Sequence, residues 1–167
     1  ATVSRYEQSV IFLSSLAYGS ARKAVGVISR MMNDNEWVVR WFTDVWSRAD
    51  GGLLAEYATD PFNFHLPGGR GLTLSHVDYL NFISIWCQRF KNVNFTIKDV
   101  ISDGTKTVAL YHCSASYNGG WARIPARKQH VEMTGMVFFK REEGMITDCW
   151  LEDSSFDLYQ QLTRYLD

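Results

Sequence analysis

The chain has 167 residues, of which 46% are hydrophobic and 21% charged, so it is long enough to bury one sizeable core. Its formal net charge of −1 gives no overall field that would attract nucleic acid or an anionic membrane surface. We therefore expect one compact domain, with no nucleic acid and no membrane among its partners. Aromatic residues make up 14% of the chain, which is typical either of ordinary packing of large side chains or of an apolar pocket.

The three cysteines occur singly in apolar stretches and form neither an even framework nor a CxxC pair, which predicts reduced core residues in a cytoplasmic protein. Near the N-terminus, residues 9–21 (SVIFLSSLAYGSA) resemble either the apolar part of a signal peptide or a short packing helix. Val10, Leu13, Leu16 and Ala17 recur at helical spacing, which favours the helix. No other run approaches the ~20 apolar residues that a membrane span requires.

Helical spacing and caps predict four helices in the rest of the chain. Residues 33–50 begin with Asn and Asp as cap candidates and carry an apolar flank, which predicts a strongly amphipathic helix. A short helix is expected over 53–58, a third over 74–90 after a Ser cap, and a last one over 155–166. The apolar residues expected to face the core in the first and third of these helices are Trp37, Val38, Trp41, Phe42, Val45, Trp46, Val77, Leu80, Ile83 and Phe90.

From residue 93 the apolar period changes to two, which predicts strands. Four successive antiparallel strands are expected over 93–102, 107–118, 128–141 and 145–152, with glycine-containing turns between them, and a brief strand is expected over 62–66. Helices, one short strand and a long meander indicate an α+β domain whose curved sheet wraps helices on one face. Such a sheet is expected to enclose an interior pocket.

Four stretches carry a resemblance to known proteins: YATDPFNFHLPGGRG (57–71), VNFTIKDVISDGTKTVALYH (93–112), RIPARKQHVEMTG (123–135) and EEGMITDCWLEDSSFDLYQQL (142–162). They resemble the nuclear transport factor 2-like fold, a cone made by one strongly bent, mainly antiparallel sheet around helices, and more narrowly the SnoaL-like polyketide cyclases. The resemblance implies a single domain over 1–167, with a helical extension over 1–34 and a core over 35–167. Because this fold hosts several chemistries and also proteins without catalysis, function has to be argued from the site.

The cyclase resemblance implies a cofactor-independent acid/base enzyme on a hydrophobic carbonyl compound, performing an intramolecular aldol cyclisation, an isomerisation or a dehydration. His65 falls, by its spacing from Tyr57, where the related ketosteroid isomerases carry their carboxylate base, and an imidazole there could move a proton near neutral pH. The alternative for His65 is an ordinary hydrogen-bonded histidine at the end of a strand.

The family's acid near the end of the last strand falls at the position of Ser154, so the acid in this chain is displaced to Glu152 or Asp153. Counting alternation from Trp150, only one of these two side chains should face the pocket. The alternative is structural, because Asp153 or Ser154 is also a good N-cap for the last helix.

Both families also carry an Asp or His near the position of Val137 to stabilise an oxyanion, whereas residues 135–139 of this chain have no polar side chain. His112, on the adjoining strand, is the expected replacement, although a core histidine is the plainer interpretation. The residues expected to line the substrate pocket are Trp41, Tyr57, Trp86, Val137, Phe139 and Trp150. No spacing supports a metal site or a nucleotide cofactor.

Three alternatives remain open from the sequence. The domain could bind a hydrophobic ligand without catalysis, or pair through its exposed sheet face, and a homodimer is expected in either case. An epoxide hydrolase would need Asp99, Arg141 and Asn63 to meet, which their spacing does not favour.

Basic residues in two loops could meet a carboxylate or ester at the pocket mouth, or simply be solvated; they are Arg70, Arg123, Arg127 and Lys128.

Overall fold

The structure is a computed structural model that describes residues 36–164, and the helix expected around residues 10–17 lies outside them. The chain divides after Glu36, and the elements below belong to the second unit, Trp37–Asp167, with Glu36 at the start of the first helix. The helices are α1 (residues 36–48), α2 (Gly51–Tyr57), α3 (His76–Arg89) and α4 (Ser155–Thr163). The strands are β1 (Ala58–Leu66), β2 (Arg70–Leu74), β3 (Phe90–Ser102), β4 (Lys106–Tyr117), β5 (His130–Glu142) and β6 (Met145–Asp153).

The six strands form one curled, unclosed sheet in the order β2-β1-β6-β5-β4-β3. The expected meander of four antiparallel strands is confirmed as β3 to β6. Two features differ from expectation: β1 pairs with β6 in parallel, and the short strand β2, which the sequence did not predict, forms a hairpin with β1. This mixed sheet around helices is the predicted α+β cone.

Helix α1 packs against the inner face of the sheet, and its centre, Trp41–Trp46, is wound as a π-helical turn. The wider winding places Trp41, Phe42, Val45 and Trp46 together on the buried side, as the apolar pattern predicted. Trp41 meets Phe139 of β5 edge-on, with ring centroids 5.4 Å apart. The aromatic side chains of α1 therefore pack in the core between the helix and the sheet.

Helix α3 begins at the predicted cap, because the Ser75 side chain accepts a hydrogen bond from the Asp78 backbone N–H. Its buried face differs by part of a turn from the expected one. Val77 is 67% exposed, whereas the Tyr79 side chain is fully buried. The Tyr79 hydroxyl accepts a hydrogen bond from the Trp46 indole N–H at 3.1 Å, so this contact sets the rotation of α3 against α1.

The described helices are all too short or too polar to cross a membrane.

Candidate functional site

A cavity of about 360 Å³ lies between the inner face of the sheet and helices α1 and α3. Strand alternation explains its wall, because the side chains of β4 to β6 that point inward are buried while their neighbours point outward. Its lining residues are Phe42, Trp46, Leu66, Pro67, Phe82, Trp86, Phe95, Tyr111, Met133, Leu151, Asp153 and Ser155.

Two groups of three aromatic rings form most of this wall. In the first, Phe42, Phe95 and Tyr111 all contact one another, with ring centroids 4.9–5.7 Å apart. In the second, Trp46 meets Phe82 and Trp86 edge-on, at 6.3 Å and 6.2 Å. The rings hold one another through these contacts, so the cavity has stiff, apolar walls suited to a flat hydrophobic ligand.

Polar groups enter the cavity at one end, where β6 gives way to α4. Asp153 lines the cavity there, and its Oδ1 accepts hydrogen bonds from the backbone N–H of Ser155, at 3.0 Å, and from the Ser155 hydroxyl. Glu152 is exposed and is not among the lining residues of the cavity, although both acids border a shallow groove on the outer side of the strand. The sequence left open which of these two acids reaches the cavity. In the structure Asp153 lines the cavity and Glu152 does not.

Tyr111 supplies the second polar group of the cavity wall. It lies on β4 directly opposite Gly135 of β5, and Gly135 lies directly opposite Asp153 of β6, so these residues form one row across three strands. Because Gly135 has no side chain, the Tyr111 ring crosses β5 there and directs its hydroxyl toward Asp153. Within the described residues this hydroxyl makes no hydrogen bond, so it can donate one to a ligand.

The protonation state of Tyr111 follows from this position. Burial raises its pKa strongly, and the negative charge of Asp153 raises it further. Tyr111 therefore stays protonated across the physiological range and remains a hydrogen-bond donor. A neutral phenol beside a carboxylate, inside apolar walls, is an arrangement that can hold an oxyanion and move a proton in the same place.

The family assignment follows from comparison with known proteins. A profile of the family described as SnoaL-like polyketide cyclase matches residues 36–162. The chain belongs to the SnoaL-like polyketide cyclase family. No curated protein matches it.

Solved structures share the fold of this SnoaL-like chain. A candidate SnoaL-like polyketide cyclase from Jannaschia sp. CCS1 is 15% identical with a TM-score of 0.69, over 79% of this chain and 92% of that one. A candidate polyketide cyclase from Acidithiobacillus ferrooxidans is 20% identical with a TM-score of 0.68, over 77% and 93%. AclR, a candidate hydroxylase from Streptomyces galilaeus, is 12% identical with a TM-score of 0.68, over 82% and 85%. At these identities the likeness shows the fold alone.

In this SnoaL-like chain His65 lies on the outer face of the sheet. The sequence placed it on the cavity wall, so the structure differs from that expectation. Phe64 and Leu66, its neighbours on β1, point inward, so alternation turns His65 outward. Its ring stacks on Trp150, with centroids 4.3 Å apart and planes 5° apart, and its Nε2 lies 3.9 Å from Asp148 Oδ1. Trp150 therefore also lies outside the cavity, contrary to expectation.

His112 also points away from the cavity. It alternates with the buried residues Tyr111 and Cys113 of β4, and its Nε2 lies 3.7 Å from Glu132 Oε2 on the outer face. The inner side chain of this stretch is thus the tyrosine, which the sequence reasoning missed. Two signals could have identified it. A glycine inside a strand, here Gly135, marks a close approach by another group, and strand alternation along β4 puts Tyr111 on the same face as the apolar residues Ala109 and Cys113.

The remaining residues expected at the pocket divide between cavity, core and surface. Trp86 lines the cavity. Trp41, Val137 and Phe139 are buried in the core and are not among the cavity lining. The Phe139 ring packs edge-on against Trp37, with centroids 5.0 Å apart. Tyr57 lies apart from the cavity lining, and its hydroxyl accepts a hydrogen bond from Arg40.

Ser154, at the position of the family's acid, has a structural role in this chain. Its hydroxyl accepts a hydrogen bond from the Thr134 backbone N–H at 3.0 Å, and its own N–H donates to the Thr134 carbonyl at 2.9 Å. Ser154 thus continues the pairing of β5 after β6 has ended. The side chain of Asp153, one residue earlier, is left at the cavity.

Other sites considered from the sequence are not assembled in the described residues. Asn63, Asp99 and Arg141 lie on β1, β3 and β5, which are not neighbours in the sheet, so they do not form the centre that an epoxide hydrolase requires. Within residues 36–164, no group of three His, Cys, Asp or Glu side chains is close enough to hold a metal ion.

Proposed function

We propose that this protein is an acid/base enzyme that acts on a hydrophobic, carbonyl-containing small molecule without a cofactor, as an intramolecular aldol cyclase or a related isomerase or dehydratase. The observation that carries the proposal is that Tyr111 and Asp153 lie in one row across three strands and both line one end of an aromatic cavity. The proposal moves the acid/base role from His65 to Asp153, and the oxyanion role from His112 to Tyr111.

The two groups are sufficient for the proton transfers of an aldol cyclisation. The Asp153 carboxylate removes a proton from the carbon beside a carbonyl, and the Tyr111 hydroxyl donates a hydrogen bond to the enolate oxygen that forms. The enolate carbon then attacks a second carbonyl of the same molecule, and the new alkoxide takes the proton back from Asp153. The number of protons on the enzyme is the same before and after the reaction.

The aromatic walls have two roles in this mechanism. They bring the two ends of a flexible substrate together, which lowers the entropy cost of ring closure. They also keep water from the enolate, which would otherwise be protonated before the new carbon–carbon bond forms. Trp46 and Trp86 on one side and Phe42 and Phe95 on the other supply these walls.

Proton removal can be tested without knowing the natural substrate. 2-Acetonaphthalene, a flat aryl methyl ketone, is incubated with the protein in deuterated buffer, and the loss of its methyl proton signal is followed by NMR. We expect the wild type to accelerate exchange, Asp153→Asn to abolish the acceleration, and Tyr111→Phe to reduce it by about 100-fold, as for loss of one oxyanion donor.

The matched control is Glu152→Gln, one residue away on the exposed side of β6, which should exchange at the wild-type rate. His65→Gln should do the same, because His65 lies on the outer face. Exchange that is unchanged in Asp153→Asn would exclude the proposed base.

A binding protein without catalysis is the second candidate, and one observation favours it. Val137 and Phe139, the inner side chains of β5 that follow Gly135, are apolar, so this strand supplies no acid or base. In that case 2-acetonaphthalene should bind in the cavity, but neither Asp153→Asn nor Tyr111→Phe should change its exchange rate.

We also propose that the protein forms a homodimer through the outer face of the sheet. Leu110 of β4 and Met136 of β5 are direct cross-strand partners on that face and are 41% and 52% exposed. Exposed apolar pairs in the centre of a sheet face are typical of surfaces that pack against another protein.

A further inference from the structure

The charge of the cavity wall indicates which ligands it favours. Among the described residues that line it, Asp153 alone carries a formal charge at neutral pH, and that charge is negative. The loop cations considered for the pocket mouth, Arg70, Arg123, Arg127 and Lys128, are not among the lining residues. The described wall therefore offers no cation to a carboxylate ligand.

The carboxylate of Asp153 has capacity left for a ligand. Its Oδ1 accepts both hydrogen bonds from Ser155, whereas its Oδ2 accepts none within the described residues. A carboxylate takes up to about four hydrogen bonds, so a donor in the cavity would complete the set. An ammonium group is the donor that also neutralises the charge.

The rings add to the same preference. Phe42, Phe95 and Tyr111 line the end of the cavity that holds Asp153, and they pack against one another with centroids 4.9–5.7 Å apart. The face of an aromatic ring carries partial negative charge, so it attracts an ammonium group and repels a carboxylate. A carboxylate ligand would be desolvated beside Asp153 and these rings, and the neutral Tyr111 hydroxyl would compensate only part of that cost.

We infer that the cavity binds hydrophobic amines in their ammonium form more tightly than neutral molecules of the same shape, and binds the matching carboxylates most weakly. This inference rests on the cavity being the ligand site of the proposed function, but not on the catalytic step. An amine bound in this way pairs with Asp153 and therefore inhibits the proton exchange that Asp153 performs.

The test uses three ligands of nearly the same shape: 2-naphthylmethylamine, 2-naphthylmethanol and 2-naphthoate. Their dissociation constants are measured by ligand-observed NMR titration at neutral pH and low salt. We expect the amine to bind at least about tenfold more tightly than the naphthoate, with the alcohol between them, since Asp153 attracts the ammonium group and repels the carboxylate.

The variants assign the effect to Asp153. In Asp153→Asn the affinity for the amine should fall to that for the alcohol, and the naphthoate should gain. In Glu152→Gln, the matched removal of a neighbouring charge outside the cavity, the order of the three ligands should persist. An asparagine Oδ1 can still accept the Ser155 hydrogen bonds, so the fold should be retained.

A measurement on the wild type gives the same answer if Asp153→Asn does not fold. Raising the salt from about 0.02 M to about 0.5 M shortens the screening length several-fold, so the amine should lose affinity and the naphthoate should gain it. Naphthoate that binds as tightly as the amine, an order of affinities that survives in Asp153→Asn, or no binding of any of the three ligands would overturn the inference.

The two proposals can fail separately. If the amine binds tightly and competes with 2-acetonaphthalene while the ketone never exchanges faster than in buffer, the cavity is a charge-selective binding site and the proposed catalysis is wrong. If exchange depends on Asp153 but the three ligands bind equally, catalysis stands and the charge selection is wrong.

Discussion

Tyr111 lies across the backbone of Gly135, the residue directly opposite it on the neighbouring strand. A Cβ placed on Gly135 would contact the Tyr111 hydroxyl oxygen and Cζ, and it would lie 2.6 Å from the Glu152 carbonyl oxygen on the other side. The phenol and the acid share one cavity wall because the strand between them has no side chain at this point.

The contact predicts that Gly135→Ala destabilises the protein. Overpacking of this kind costs about 1–3 kcal/mol, and the Tyr111 ring would be pushed away from Asp153, so exchange of 2-acetonaphthalene should fall together with stability. Urea denaturation measures the first effect and NMR the second. Gly52→Ala is the control for exchange: its new Cβ would meet only Asp50 Oδ1, at 3.3 Å, which caps α2 through the Leu53 N–H, so it affects that cap but leaves Tyr111 in place and exchange at the wild-type rate.

The contribution of the Tyr111 ring itself can be separated. In a Tyr111→Ala background the same Gly135→Ala change should cost less, because one of its two contacts is gone while the contact with the Glu152 carbonyl remains. Equal costs in the two backgrounds would show that the glycine serves strand pairing and not the position of the phenol.

The fold was predictable where the signal is local. Apolar spacing and caps define the helices, and period-two stretches separated by glycine turns define the meander. The parallel pairing of β1 with β6 was not predictable, because the partner of an isolated strand is set by packing far along the chain. Val77 was expected in the core and is exposed, because apolar spacing is compatible with several rotations of a helix. In the structure the Trp46–Tyr79 hydrogen bond accompanies one of these rotations.

The chemical type of the site residues was predictable, but the face of the sheet on which each side chain lies was not. The sequence identified an acid at 152 or 153, but it took Trp150 as a wall of the pocket. Trp150 instead packs against His65 on the outer face. Counting from Trp150 as an inward residue therefore assigned Glu152 and Asp153 to the wrong faces. In a strand a single wrong reference reverses the face of each neighbour. The misplacement of His65 has a separate cause: it was placed by its spacing from Tyr57, which does not define the face of β1 on which its side chain lies.

The cysteines should react in an order set by burial. Burial raises the pKa of Cys113 to about 12 and also raises the pKa of Cys149, while that of Cys87 is raised less, because the Lys91 charge opposes burial. At pH 8 a thiol reagent should therefore modify at most Cys87 in the native protein and all three cysteines in urea. Cys87→Ser should leave the native protein unreactive, and rapid reaction of two thiols before unfolding would contradict this placement.

The proposed dimer predicts a response to charge on the outer face. Met136→Lys places an ammonium group at the centre of the surface that would be buried, so the protein should change from dimer to monomer in size-exclusion chromatography with light scattering. Val77→Lys is the matched control, because Val77 is exposed on α3, away from the sheet. A monomeric wild type, or a dimer that persists in Met136→Lys, would exclude this interface.

Asp148 should make stability depend on pH. Burial tends to raise its pKa, but hydrogen bonds from Asn63 and Thr147 and electrostatic attraction from Lys140 and His65 outweigh burial, so the pKa lies below its ordinary value. A carboxyl with a lowered pKa in the folded state stabilises the fold at every pH above its unfolded pKa, near 3.8. That contribution disappears as the pH falls through the lower, folded pKa.

Asp148→Asn should therefore be less stable than the wild type by about 1–2 kcal/mol at pH 7. Hydrogen bonds to a charged acceptor contribute about 1.5–3 kcal/mol, and the asparagine Oδ1 still accepts one of the two. Because the carboxylate is the stabilising form, the difference should stay constant down to about pH 4 and shrink below it. Urea denaturation at pH 7, 5, 4 and 3 measures the trend. Glu143→Gln, in the exposed turn between β5 and β6, should match the wild type at each pH. A deficit in Asp148→Asn that is equally large at pH 3 would mean that the amide disturbs packing, and that the charge of Asp148 contributes nothing to the fold.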